Sequence, residues 1–189
     1  ASANAISDIY AMGGTPLMAI SILGWPINKI GPEHAAAVIE GSRHTCQEAG
    51  IPLAGGHSID SPEPIFGLAV TGKALTKSIK QNSKAEVGDH LFLTKALGVG
   101  MLSTAEKKGL LLREDLGLAS AQMRRLNIVG VHLAKLDGVH SMTDVTGFGL
   151  LGHLEEMCSE SGVRAVIDES KLVLLSDLDY YIEKSCIPG

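Results

Sequence analysis

What the chain lacks narrows its function before any motif is read. Only three of its 189 residues are cysteine. Cys46, Cys158 and Cys186 are widely spaced, odd in number and without a CxxC pair. That argues against a structural zinc site or a disulfide framework and points to a reducing compartment, the cytoplasm. Cys46, inside an Ala-rich helical pattern, reads as a small buried hydrophobe, while Cys186 near the end could be exposed. No apolar run reaches the roughly 18 residues a membrane-spanning helix needs, and no signal peptide is evident. Positive charge is scarce too: 16 basic against 21 acidic residues give a net charge of −5. With aromatics at 4%, there is neither a basic patch nor a stacking platform. Nucleic acid and membrane are therefore excluded as partners.

What is present is a globular composition, 45% apolar and 20% charged, long enough for one large domain or two small ones. Residues 4–12 have a helical pattern that Gly13-Gly14 stop. Residues 16–23 form a nearly continuous apolar run, read as a central strand and ended by Gly24-Trp25-Pro26. Pro32-Glu33 open a helix running to Ala49. Short strands are expected at 51–54, where Gly55-Gly56-His57-Ser58 break away, and at 65–71. Between residues 73 and 88 the composition turns to Lys, Gln, Asn and Ser, so 76–88 is taken as a linker. Beyond it, strands are expected at 90–94, 139–143 and 163–167, and helices at 114–135 and 149–159. Short strands and tight turns favour an α+β fold with mixed sheets over a doubly wound one. The chain begins abruptly in a helical pattern and ends on a turn, so it reads as an internal fragment.

The stretch Thr143-Asp144-Val145-Thr146-Gly147-Phe148-Gly149 places a carboxylate at a strand end before a glycine turn and a helix start. Backbone N–H groups there can face phosphate while Asp144 holds a metal ion; the bland alternative is a helix N-cap. Asn4 and Asp8 share one face of the first helix. Magnesium takes one or two carboxylates and completes its shell with water and phosphates. A carboxylate on a helix as apolar as 6–12 would be costly without a partner. Gly55-Gly56-His57-Ser58 offers backbone that can approach a ligand closely. A Ser58–His57–Asp60 triad is rejected, because residues on one turn do not reach triad geometry. Lys95-Ala96-Leu97-Gly98-Val99-Gly100 lacks the order of a P-loop. Lys73, Lys77, Lys80 and Lys84 read as a solvated face.

Asn4-Ala5-Ile6-Ser7-Asp8-Ile9-Tyr10-Ala11-Met12-Gly13-Gly14, Ile22-Leu23-Gly24-Trp25-Pro26, Gly55-Gly56-His57-Ser58-Ile59-Asp60 and the stretch 143–154 together resemble the bacterial selenophosphate synthetases (selenide, water dikinases). These belong to the aminoimidazole ribonucleotide synthetase superfamily. The resemblance implies two α+β domains, both incomplete here: 1–75 as the later part of an N-terminal ATP-binding and dimerisation domain, and 89–189 as the earlier part of a C-terminal one. It implies a homodimer that converts ATP, selenide and water into selenophosphate, AMP and phosphate with Mg2+. Asp8 would bind metal and ATP, Asp144 would bind metal, and Gly56, His57 and Ser58 would contact nucleotide across the dimer. The catalytic Cys or selenocysteine and its Lys would lie before Ala1, so no catalytic residue is assigned and this chain alone is expected to be inactive. Another ATP-using enzyme of the superfamily and a non-catalytic dimerisation module are the alternatives.

Overall fold

A computed structural model describes residues 1–188 and divides the chain into two compact units that do not follow its order. The first takes residues 1–85 and 126–161, the second 86–125 and 162–188.

The first unit is built on a three-stranded sheet of order β2-β1-β3, with β1 Thr15–Trp25, β2 Leu53–Asp60 and β3 Ile65–Lys73. β1 runs parallel to β2 and antiparallel to β3, so the sheet is mixed. Parallel pairing requires a crossover, supplied by α2, Pro32–Glu48. Proline at the start of α2 costs no hydrogen bond, because that N–H would be unpaired in any helix. Residues 61–64 cross the end of β1 to reach β3, with the Ser61 N–H donating to the Trp25 carbonyl at 3.3 Å.

Alternation along β1 sends Ala19, Ser21, Leu23 and Trp25 inward, all at most 9% exposed. They lie on the side where α1, Ser2–Ala11, contributes Ile6 and Tyr10 and α2 contributes Cys46. Ile51, Leu68, Val70, Leu126 and Val131 complete that core. The opposite face is bare: Ile20, Ile22, Ile59 and Ile65 are 42–58% exposed. Register puts His57 beside Ile22 and Ile65 beside Gly24 on this same face. The continuous apolar run of β1 therefore reflects two apolar faces, of which the chain covers one.

Several local expectations yield to tertiary context. β2 does not break at Gly55 but continues to Asp60, since β1 pairs with it as far as Trp25. The helix expected over 114–135 divides into α4, Leu118–Arg124, and α5, Val129–Leu133. One of the three crossings of the chain between the units falls between 125 and 126, inside that expected helix. The strand expected at 139–143 is reduced to one bridge between Ser141 and Gln81. Those expected at 90–94 and 163–167 are absent among the described residues. A strand needs a partner, and β-forming composition alone does not provide one.

The second unit is mainly helical. α3, Val99–Lys107, α4 and α7, Asp179–Glu183, enclose Leu102, Ala105, Ala119, Leu178, Tyr181 and Cys186. Cys186 is fully buried, contrary to its expected exposure, because the chain after α7 turns back into this core. The buried Tyr181 hydroxyl donates to Asp115 and accepts the Leu112 N–H at 3.2 Å, so neither buried polar group is left without a partner.

Gly130 of α5 lies against the main-chain carbonyl of Tyr10 in α1, with no space for a Cβ. Gly130→Ala must push the two helices apart and is expected to cost about 1–3 kcal/mol, read from the midpoint of a urea unfolding curve.

Candidate functional site

α1 is amphipathic, and its two sides do different work. Ile6, Ser7 and Tyr10 face the core, while Asn4, Asp8 and Met12 recur every fourth residue on the exposed side. The helix is therefore only half buried: Ile6 and Tyr10 are covered, but Asp8 opens outward together with Met12.

Asp144 lies in the irregular segment that precedes α6, Gly149–Ser161. Before it, Ser141 is held to Gln81 by its side chain at 2.6 Å and the Met142 N–H at 3.4 Å reaches the same carbonyl. After it, the chain turns at Thr146, whose carbonyl accepts the Gly149 N–H at 3.1 Å. The carboxylate itself is gripped from the core side. The buried Ser7 hydroxyl donates to Asp144 Oδ2 at 2.6 Å, and Asn127 Nδ2 donates to Ser7 Oγ at 2.8 Å. A hydroxyl has one proton and two lone pairs, so Ser7 can serve both neighbours at once.

Asp8 and Asp144 face one groove of about 380 Å³, lined also by Met12, Lys80, Asn82 and Thr143. Partial burial of the Asp8 carboxyl, and then the nearby Asp144 charge, raise its pKa above the usual carboxylate value. Lys80 is the only cationic side chain among the lining residues, and its Nζ is 3.4 Å from the Leu136 carbonyl. A smaller groove of about 300 Å³ around Pro26, Lys29 and Asp60 contains neither carboxylate.

Two like charges at one opening suit a hard cation whose remaining ligands are water and phosphate. No cluster of three or more His, Cys, Asp or Glu that could cage a metal occurs among the described residues. The donor set therefore fits magnesium delivered with a phosphate ligand better than a dedicated all-protein cage.

Of the residues singled out in the sequence, Asp8 and Asp144 are brought together. Gly56, His57 and Ser58 are not among the groove-lining residues; they lie on the exposed edge strand β2. Gly56 has a local reason to be glycine, because a Cβ there would run into Ser21 of β1. Sequence reasoning missed Ser7, Asn127 and Lys80. Lys80 looked like one of a row of solvated lysines. Ser7 and Asn127 are 120 residues apart, and no local pattern connects them.

Residues 1–74 match the N-terminal domain of the AIR synthase related proteins and residues 86–185 match the C-terminal domain. The chain belongs to this family. It is 62% identical over all 189 residues to the selenide, water dikinase of Photorhabdus laumondii and 61% identical to that of Aeromonas hydrophila, covering 54% and 55% of those proteins. It thus spans about half the length of the curated relatives it matches. Among solved structures, thiamine-monophosphate kinase from Stenotrophomonas maltophilia shares the fold, with a TM-score of 0.82 at 22% identity, over 98% of this chain and 61% of that one.

The raised Asp8 pKa has a definite sign in the metal-free protein. Loss of hydration, and then repulsion from Asp144, destabilise the fold while Asp8 is ionised, above its folded pKa, and both are relieved as pH falls through that value towards the ordinary 3.8. Asp8→Asn is expected to raise the Tm by about 1–3 °C near neutral pH, a difference that closes as pH falls through the Asp8 pKa in thermal melts run without divalent metal.

Proposed function

We propose that this chain is the magnesium–ATP-binding central portion of a selenide, water dikinase, which makes selenophosphate, AMP and phosphate from ATP, selenide and water. The observation that carries the reading is the pair Asp8 and Asp144 facing one groove, in a chain about 60% identical to proteins of that name. In this reading residues 1–75 are the later part of the N-terminal domain, 76–88 a linker and 89–189 the earlier part of the C-terminal domain.

Asp8 and Asp144 hold Mg2+, and Asp8 also contacts ATP. Bound magnesium offsets the charge that develops as phosphoryl groups leave ATP. Ser7 and Asn127 fix the Asp144 carboxylate before the metal arrives, which spares reorganisation on binding. Lys80 adds a positive charge at the edge of the groove. The three cysteines are assigned no nucleophilic role: Cys46 and Cys186 are fully buried, and burial raises the Cys46 pKa, away from the reactive thiolate.

The protein acts in the cytoplasm as a homodimer. The bare face of Ile20, Ile22, Ile59 and Ile65 supports this, since a second copy would cover an apolar surface the chain leaves open. Gly56, His57 and Ser58, on the strand at that face, contact nucleotide from across the dimer. No described helix is long and apolar enough to cross a membrane.

In the full-length protein, Asp144→Ala is expected to abolish ATP turnover while leaving the circular dichroism spectrum unchanged, because it removes a metal ligand and no core packing. Calorimetric titration with Mg-ATP is expected to show binding that this variant loses. Retained turnover would count against the assignment, as would an unchanged titration.

A further inference from the structure

The geometry points to His153 as a positioning residue for the Asp144 metal ligand, acting through the backbone of the intervening turn. This rests on the metal-binding reading of Asp144. Four residues into α6, the His153 side chain reaches back to the turn. Its Nε2 accepts the Thr146 N–H at 3.0 Å and lies 3.1 Å from Thr146 Oγ1. An N–H can only donate, so Nε2 carries the lone pair and the ring proton sits on Nδ1.

The same ring packs against Phe148, with centroids 5.8 Å apart and planes tilted by 53°. Phe148 lies low over α6 because position 152 is glycine: a Cβ there would fall 2.7 Å from the Phe148 Cβ. His153 thus grips the turn at two points, the Thr146 amide and the Phe148 ring. Phe148 is 83% exposed, so core burial does not hold this part of the chain in place.

Asp144 is two residues before the Thr146 amide. Ser7 restrains its carboxylate from the core side, and His153 restrains the backbone that follows. With both restraints, a carboxylate on an irregular segment is held in one direction. Without His153 the turn keeps only its own bond from the Gly149 N–H to the Thr146 carbonyl, and Asp144 must be ordered further at the expense of metal affinity. The Thr146 N–H, one of the backbone donors of this turn, is already committed to the histidine.

The test is metal binding by the full-length protein, with Mn2+ as a paramagnetic probe titrated by electron spin resonance, beside hydrogen exchange at the Thr146 amide. His153→Ala is expected to weaken Mn2+ binding about tenfold and to speed exchange at Thr146. His153→Met keeps bulk against Phe148 but lacks the acceptor and should behave alike, which covers the case in which the alanine variant fails to fold. His153→Gln can accept the same N–H through its amide oxygen and should recover most of the affinity, a rescue that a purely packing role would not give. Wild-type Mn2+ affinity in the Met variant, or a Gln variant as weak as Met, overturns the inference. Asp144→Ala separates the two levels. If it leaves Mn2+ binding unchanged, the metal reading itself fails; if it abolishes binding while the His153 variants bind normally, only the positioning role fails.

Discussion

The Ser7 hydroxyl is the point on which the site depends. It is buried at the inner edge of α1, accepts a hydrogen bond from Asn127 and donates one to Asp144. An α-helix turns about 100° per residue, so seating Ile6, Ser7 and Tyr10 against the core leaves Asp8 pointing outward. The packing that hides Ser7 is therefore what presents Asp8. One helix supplies a carboxylate on its open side and the anchor for a second carboxylate on its closed side. Any change that rotates α1 would move both carboxylates.

That arrangement sets stability against function. The raised Asp8 pKa records first its partial loss of water and then repulsion from the Asp144 carboxylate at the same groove. A domain selected for stability alone would neutralise the pair. Here Lys80 answers it only in part, and the residual negative charge is what would attract a divalent cation. The surrounding structure absorbs the cost through the well-packed core of α1, α2 and the sheet.

The sheet presents a similar asymmetry. Its helix-covered side is closed by α1 and α2, whereas Ile20, Ile22, Ile59 and Ile65 leave an apolar face open to water. Burial of such surface is favourable by about 25 cal/mol per Å², so a second copy laid on this face would gain from covering it. β2, at the edge, would then carry Gly56, His57 and Ser58 into the neighbourhood of that partner.

Much of the local structure was legible in the sequence. The four-residue repeat of α1, the Pro32 start of α2 and the glycine turn into α6 all act within a few residues, so local patterns report them. The α+β character and the mixed sheet followed from the same signals, and Asp8 and Asp144 were both visible as acids beside helix starts and turns. What could not be read locally depended on partners distant in the chain. β2 runs on through Gly55-Gly56 because β1 pairs with it; the segment 139–143 keeps only one bridge because no neighbouring strand continues it; the helix expected over 114–135 divides where the chain passes between units. Residues 7, 127 and 144 meet only after three separate segments pack together. The sequence by itself determined which groups are available and the helices that carry them. Tertiary structure alone decided which meet, because hydrogen bonds and like-charge repulsion depend on distances of a few ångströms that no spacing along the chain encodes.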